Sequence, residues 1–299
     1  MGNEIPPRGL IVEVITPFTE DGRIDRQGLE RLLGRLIPHV GALFLAGPRT
    51  GEGIHLAPEE RLTLLRTAGG VLDSRPLPLF VWVSGKSVEE TRETLETLRD
   101  ARIQEELSGG IFYTDAPLYY HSNRGLRAWY EELFRLSEGP YLLHNIPGMI
   151  QALGRPLKRS NIRTAIFKEL ATLPPVAGMI FSGSLERSQH YEGASRHRSR
   201  FRIYDGDETR FLTHPSMSGV VSAGANLVPR AWQRIVRESL GLNPQTGAYP
   251  NHLQQIWELG GSLKRLQGLY EPNPAARIKA LLAREGIIDS PLCRVGKMV

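Results

Sequence analysis

The sequence predicts a (β/α)8 barrel carrying additional C-terminal helices. Three observations point there. Short β-rich runs alternate with helix-period segments eight times within roughly 240 residues, near the usual size of such a barrel. Most of those runs are continuously apolar, as parallel strands covered on both faces should be. No G-x-G-x-x-G follows the first run, which removes the main signature of an open dinucleotide-binding sheet.

The elements follow in order. GLIVEVITPF (9–18) precedes RQGLERLLGRLIP, in which Leu29, Leu32, Leu33 and Leu36 share one helical face. ALFLAG (42–47) precedes PEERLTLLRTAGGVL, with Glu59 and Glu60 suited to a first helical turn. PLFVWVSG (78–85) precedes SVEETRETLETLRDA, where Ser87 and Glu90 read as a capping box. GGIFYTDA (109–116) precedes GLRAWYEELFRLS, and PYLLHNIP (140–147) precedes a polar helix near 158–171. VAGMIFSG (176–183) leads to SLERSQHYE, and FRIYDGD (201–207) to a short segment near 209–214. SGVVSAG (218–224) leads to PRAWQRIVRESLG and completes the eighth unit. Residues 1–240 therefore read as the barrel. Residues 241–299 read as a helical extension packed on it, with helices at 250–268 and 274–286 split by EPNPA.

Composition limits the function classes. A 40% hydrophobic, 23% charged chain is ordinary for a globular protein, and it has no apolar run long enough for a membrane span. The N-terminus lacks the apolar core of a secretory signal, and the single Cys293 excludes an internal disulfide. These features predict a cytoplasmic protein with no membrane partner. The net charge of +5 does not argue for nucleic acid, because Arg is spread along the chain among Glu residues. The densest basic stretch, residues 187–200, reads as a solvated surface loop.

Barrel sites lie at the C-terminal ends of strands. Those ends carry Glu13 and Thr16, Arg49 and Glu52, Lys86, Thr114 and Asp115 with the pair Tyr119–Tyr120, His144 and Asn145, and Asp205, Asp207 and Glu208. A carboxylate such as Glu13 inside an apolar barrel needs a partner or a task. GPRTGEG (47–53) has the glycines that let backbone N–H groups turn toward an oxyanion. VAGMIFSG is the exception among these strands, because it ends in Ile180 and Phe181.

Taken together, ITPFTEDGRID (15–25), TGEGIHLAPEER (50–61), APLYY (116–120), NIPG (145–148), YDGDE (204–208) and SGVVSAGANLVPRAW (218–232) resemble the dihydrodipicolinate synthase / N-acetylneuraminate lyase superfamily. The closing NPAARIKALLAREGII resembles that family's C-terminal helix. The resemblance implies a class I aldolase-type lyase. A strand-six lysine would form an imine with pyruvate or another 2-oxo acid, and a strand-five tyrosine would relay protons. Amides of the strand-two loop would bind the 2-oxo acid carboxylate, and a tyrosine after strand four would reach a neighbouring subunit.

Several positions depart from that pattern. GMIFSGS places Ile180 where the lysine is expected, and HNIP places His144 where the tyrosine is expected. Met149 stands where one branch has an arginine for the aldehyde partner's carboxylate. Arg49 takes the place of the loop's first threonine, and Glu13 that of a small inward residue. Isoleucine has no nucleophile, so an imine at residue 180 is chemically excluded.

Two readings follow. In the first, the chain binds a small 2-oxo acid or sugar-acid ligand through Arg49, Thr50, Gly51 and Glu52. His144, Glu13 and Tyr120 are then the catalytic candidates for acid–base chemistry. In the second it is a non-catalytic regulatory or assembly paralogue, with the mouth plugged by Phe181, Met149 and Ile180. Neither reading calls for a cofactor, and no metal-ligand spacing appears among Glu13, His144 and Asp207. An imine relocated to Lys86 is disfavoured, since a loop amine is solvated and protonated. By resemblance, the assembly is expected to be a homodimer or homotetramer with Tyr120 near an interface.

Overall fold

The structure, a computed structural model, describes residues 5–72, 75, 77–105, 110–137, 139–154, 159–215, 218–242 and 251–294. Its first half alternates β1 (Gly9–Glu13), α1 (Arg26–Leu36), β2 (Ala42–Leu45), α2 (Pro58–Leu72), β3 (Leu79–Trp82) and α3 (Val88–Glu105). Then come β4 (Ile111–Asp115), the short α4 (Pro117–Tyr120), α5 (Leu126–Leu136), β5 (Tyr141–Asn145), α6 (Pro147–Ala152) and α7 (Thr164–Leu170). The second half adds β6 (Val176–Phe181), α8 (Leu185–Ser195), β7 (Arg202–Asp205), α9 (Glu208–Thr213), β8 (Gly219–Ser222) and α10 (Pro229–Ser239). The chain closes with α11 (Asn251–Tyr270) and α12 (Pro274–Arg284). The eight strands pair in parallel in chain order, and β8 returns to β1, so the sheet is a closed barrel.

Local sequence accounts for the helix starts. Asp25 accepts from the Gly28 N–H at 2.8 Å to cap α1, whose Leu29, Leu32, Leu33 and Leu36 are buried. Ser87 accepts from the Glu90 N–H at 3.2 Å, while the Glu90 carboxylate takes the Lys86 N–H at 2.7 Å. The capping box is therefore present with its return bond displaced by one residue. Ser184 caps α8, and Asn273 with Pro274 starts α12.

The strands are shorter than the apolar runs. The first run extends to Phe18, yet β1 stops at Glu13: the Val14 N–H still bonds to the Phe44 carbonyl at 2.9 Å, but the Ile15 N–H goes to the Asn226 side chain instead of a neighbouring strand. The polar helix expected near 158–171 is confined to Thr164–Leu170, and 155–158 lie outside the described residues. The reading of 187–200 as a solvated loop is corrected: α8 runs through Ser195. Beyond it, the Arg198 guanidinium is hydrogen-bonded to the carbonyls of Ala171, Leu173, Pro174 and Val176. Four carbonyls around one planar fork explain why this arginine is not simply a solvated charge.

Register fixes which residues face the barrel axis. The rings of Phe80 on β3 and Tyr204 on β7 meet across the barrel at 5.8 Å, so both point inward. Parallel neighbours in register share a face. Glu13, Phe44, Phe80 and Phe112 are in register and face inward. His144, Ile180 and Tyr204 form a second inward row, and Trp82, Thr114, Leu142 and Gly178 a third. Asp115, Asn145, Phe181 and Asp205 each adjoin an inward residue, so they point out toward the helices.

The C-terminal helices tie onto this barrel. The α11 helix packs against α9 and α10, and α12 against α11. Among the described residues, no helix is long and apolar enough to cross a membrane.

Candidate functional site at the barrel mouth

The loop after β2 is built around Glu13. Its Oε1 accepts the backbone N–H of Arg49 at 2.7 Å and of Thr50 at 3.0 Å. The Gly51 amide also interacts with this carboxylate. Consecutive amides converging on one oxyanion form a nest. Burial pushes the Glu13 carboxyl up from its ordinary value, and the Arg49 charge with the loop amides holds part of that shift back. Gly47 gives this carboxylate its room, since a Cβ there would lie 2.6 Å from Glu13 Cδ.

The loop is held from other directions too. Thr50 Oγ1 donates to the Glu13 carbonyl at 2.7 Å, and Thr16 Oγ1 to the Gly51 carbonyl at 2.7 Å. Asn226, beyond β8, donates to the Glu13 carbonyl at 2.8 Å and accepts the Ile15 N–H at 3.2 Å. Glu52 takes a left-handed backbone, φ 53°, and its side chain is fully buried. It pairs with Lys279 of α12 and accepts the Arg294 N–H at 2.6 Å. Lys279 donates as well to the Leu292 carbonyl at 2.8 Å and lies 4.2 Å from the Phe18 ring centre.

The Arg49 guanidinium reaches Glu271, at the end of α11, at 3.1 Å and the Gly206 carbonyl at 3.4 Å. Burial works to lower its pKa, but Glu13, Glu271, Glu208 and Asp207 outweigh that and raise it. Its charge is thus met by carboxylates of the same chain. Behind it, Glu208 accepts from Ser222, from the Gly224 N–H at 2.9 Å and from the Tyr270 hydroxyl at 2.6 Å. Burial raises the Glu208 carboxyl, and these donors oppose the shift.

His144 faces the same interior but meets different neighbours. Its ring sits 5.9 Å from Phe44 and 5.7 Å from Trp82, and it is 5% exposed. Nδ1 has no hydrogen-bond partner among the described residues. Burial, aided by the Arg49 charge, pushes the imidazole down to about 3, so it is neutral at physiological pH. Glu13 and His144 are not hydrogen-bonded to each other, because the Glu13 carboxylate is turned into the loop.

Ile180 is fully buried on the inward face, in register with His144 on one side and Tyr204 on the other. Its Cγ2 lies where a Cβ at Gly206 would come within 3.2 Å, so it packs beneath the turn after β7. Phe181 does not plug the mouth as expected. It points outward, 5.3 Å from the Tyr191 ring of α8 and under Arg210. Met149 is only partly buried at the edge of the core.

Tyr120 is separated from the other two catalytic candidates. Its hydroxyl donates to Asp115 at 3.0 Å and accepts from Trp129 Nε1 at 2.8 Å. Asp115 also accepts from Tyr130 at 2.7 Å and Ser84 at 2.6 Å. This cluster lies between β4 and α5, on the opposite face of the strand from the barrel interior. The structure thus places the Tyr120 hydroxyl with the outward-pointing Asp115 and not beside Glu13 and His144. Of the four ligand-binding candidates, Arg49 and Thr50 present amides to the mouth, Gly51 shapes the turn, and Glu52 faces away to α12. Asp207 caps α9 through the Arg210 N–H at 3.2 Å and does not join Glu13 and His144. Lys86 is exposed. Sequence reading missed Asn226, Tyr270 and Lys279. Asn226 alone had a local signal, as a lone amide in an apolar and small-residue block.

Comparison with known proteins agrees with this architecture. The model of the dihydrodipicolinate synthetase family matches residues 6–296. A 4-hydroxy-tetrahydrodipicolinate synthase of Chlamydia pneumoniae is 29% identical over 289 residues, covering 96% of this chain and 88% of that protein. The solved dihydrodipicolinate synthase of Bacteroides thetaiotaomicron superposes with a TM-score of 0.77 at 22% identity, covering 99% of this chain and 94% of that one. A chloride-inhibited dihydrodipicolinate synthase of Acinetobacter baumannii, solved with pyruvate, gives 0.77 at 21% identity over 98% and 94% of the two chains.

Proposed function

The chain belongs to the dihydrodipicolinate synthetase family, and from that premise we propose that it has kept the barrel without the imine-forming lyase chemistry, as a non-catalytic member. The observation that carries this reading is Ile180. It is buried on the inward face of β6, between His144 and Tyr204, where the resemblance calls for a lysine. A hydrocarbon there cannot add to a carbonyl. His144, in the place of the relay tyrosine, is held neutral with its pKa near 3, so it is a weak base and not a proton donor at pH 7. A Glu13–His144 acid–base couple has little support, because Glu13 is engaged by loop amides.

Borohydride trapping with pyruvate, read by intact mass, tests the proposal directly. The unmodified mass should persist, and no lyase turnover should appear with pyruvate and an aldehyde partner. A reduced pyruvate adduct on the wild-type chain ends the reading. As part of the same proposal, the protein is cytoplasmic and a homodimer or homotetramer. Cell fractionation tests the first, and a monomer by light scattering would count against the second.

A further inference from the structure

We propose that Glu13 is an internal ligand: its carboxylate occupies a small-monocarboxylate site formed by the amides of Arg49 and Thr50, and removing it opens that site to free carboxylates. This deepens the preceding reading, because it explains how the mouth would be closed to a 2-oxo acid as well as deprived of a nucleophile.

The geometry is that of a bound anion. One oxygen takes two successive backbone N–H groups at 2.7 and 3.0 Å, and the residue is 3% exposed. Burying a carboxylate is costly unless donors meet it, and here the fixed donors are main-chain amides. Those donors do not depend on Glu13 alone for their position. Thr50 Oγ1 is anchored to the Glu13 carbonyl, which any residue at position 13 retains, and Thr16 anchors Gly51. Glu52 fixes the far side of the loop through Lys279 and Arg294. Arg49 supplies a positive charge beside the site while bonded to Glu271 and Gly206. Gly47 leaves a side-chain-free wall against the Glu13 carboxyl. The loop should therefore outlast the loss of the carboxylate that fills it.

The ligand class follows from the atoms. Glu13→Ala removes one methylene and one carboxylate, which together match acetate, and pyruvate adds only a carbonyl to that fragment. The melting temperature of Glu13→Ala should rise saturably with acetate and with pyruvate at constant ionic strength. The expected rise is roughly 2–4 °C for each tenfold increase above the Kd. Acetamide, the neutral match, should do nothing. Wild type and Glu13→Gln should be unmoved, because in both a side chain already fills the nest. A Glu13→Ala chain blind to acetate overturns the proposal, as does an equal shift in wild type. Should Glu13→Ala not fold alone, it is refolded with acetate or acetamide: recovery in acetate only supports the proposal, and any other pattern overturns it. A pyruvate adduct on the wild-type chain would instead strike the preceding reading, so the two failures are distinct.

Discussion

Replacing His144 by phenylalanine should make the protein more resistant to acid. The imidazole is buried against Phe44 and Trp82, and burial with the Arg49 charge holds its pKa near 3. In the unfolded chain the same group titrates near 6.5. Above that value the ring is neutral in both states and favours neither. Between the two values only the unfolded chain takes up the proton, so folding loses about 1.4 kcal/mol per pH unit as pH falls. The loss sums to about 4–5 kcal/mol by pH 3 and levels off below it. Phenylalanine keeps a ring among the aromatic neighbours and cannot be protonated, so at pH 7.5 the swap should cost less than about 1.5 kcal/mol. Urea unfolding of both proteins at one protein concentration, in steps from pH 7.5 to pH 4, measures the difference. The variant should gain on wild type by about 1.4 kcal/mol per unit below pH 6.5, whatever its offset at neutrality. Other titrating groups are common to both chains and drop out of the comparison. Parallel stability curves, or a His144 imidazole titrating near 6.5 by NMR, would refute the reasoning.

Three further outcomes are expected. Lys279→Met should lower stability by about 3–5 kcal/mol in urea, because it strands the buried Glu52 carboxylate, and adding Glu52→Leu should recover much of that loss. Gly47→Ala should cost about 1–3 kcal/mol, because its Cβ would press on the Glu13 carboxyl, and the cost should shrink in a Glu13→Ala background. Additive losses in that double-mutant cycle would count against the close contact. Ile180→Lys alone should trap no pyruvate under borohydride, whereas Ile180→Lys with Glu13→Ala should. Trapping by the single variant would mean that Glu13 does not block the seat.

The barrel was legible because its evidence is repeated. Eight β-rich runs, most of them apolar and most followed by helical spacing, survive several misjudged boundaries. The mouth was less legible because strand parity near a rim depends on register, which one strand does not reveal. Thr114 and Asp115 illustrate this: the first joins the inward row with Trp82, and the second points outward to Ser84, Tyr120 and Tyr130. The Tyr120 hydroxyl follows Asp115 to the outer face, a placement that the resemblance suggesting Tyr120 does not reveal. Glu52 failed for another reason. Its partner Lys279 lies 227 residues away, on a helix where a lysine ordinarily suggests solvent. No local pattern announces such a pair. Glu13 could be read as a carboxylate needing a partner, but the partner was the backbone of residues 49 and 50, which leaves no side-chain signature.

The TGE stretch serves the fold before it serves any ligand. By sequence, Thr50, Gly51 and Glu52 are ligand-binding candidates, yet each has a bond that serves the fold. Thr50 holds the end of β1, Gly51 offers its carbonyl to Thr16, and Glu52 anchors α12 and the segment through Arg294. A loop so braced keeps its shape with or without a ligand, so its motif is evidence for the barrel and only weak evidence for chemistry. The discriminating residues are those that project into the space the loop encloses. Here they are a carboxylate already bound by the amides, a neutral imidazole among aromatic rings, and an isoleucine on β6. The scaffold can therefore be read from the loop, while the activity has to be read from Glu13, His144 and Ile180.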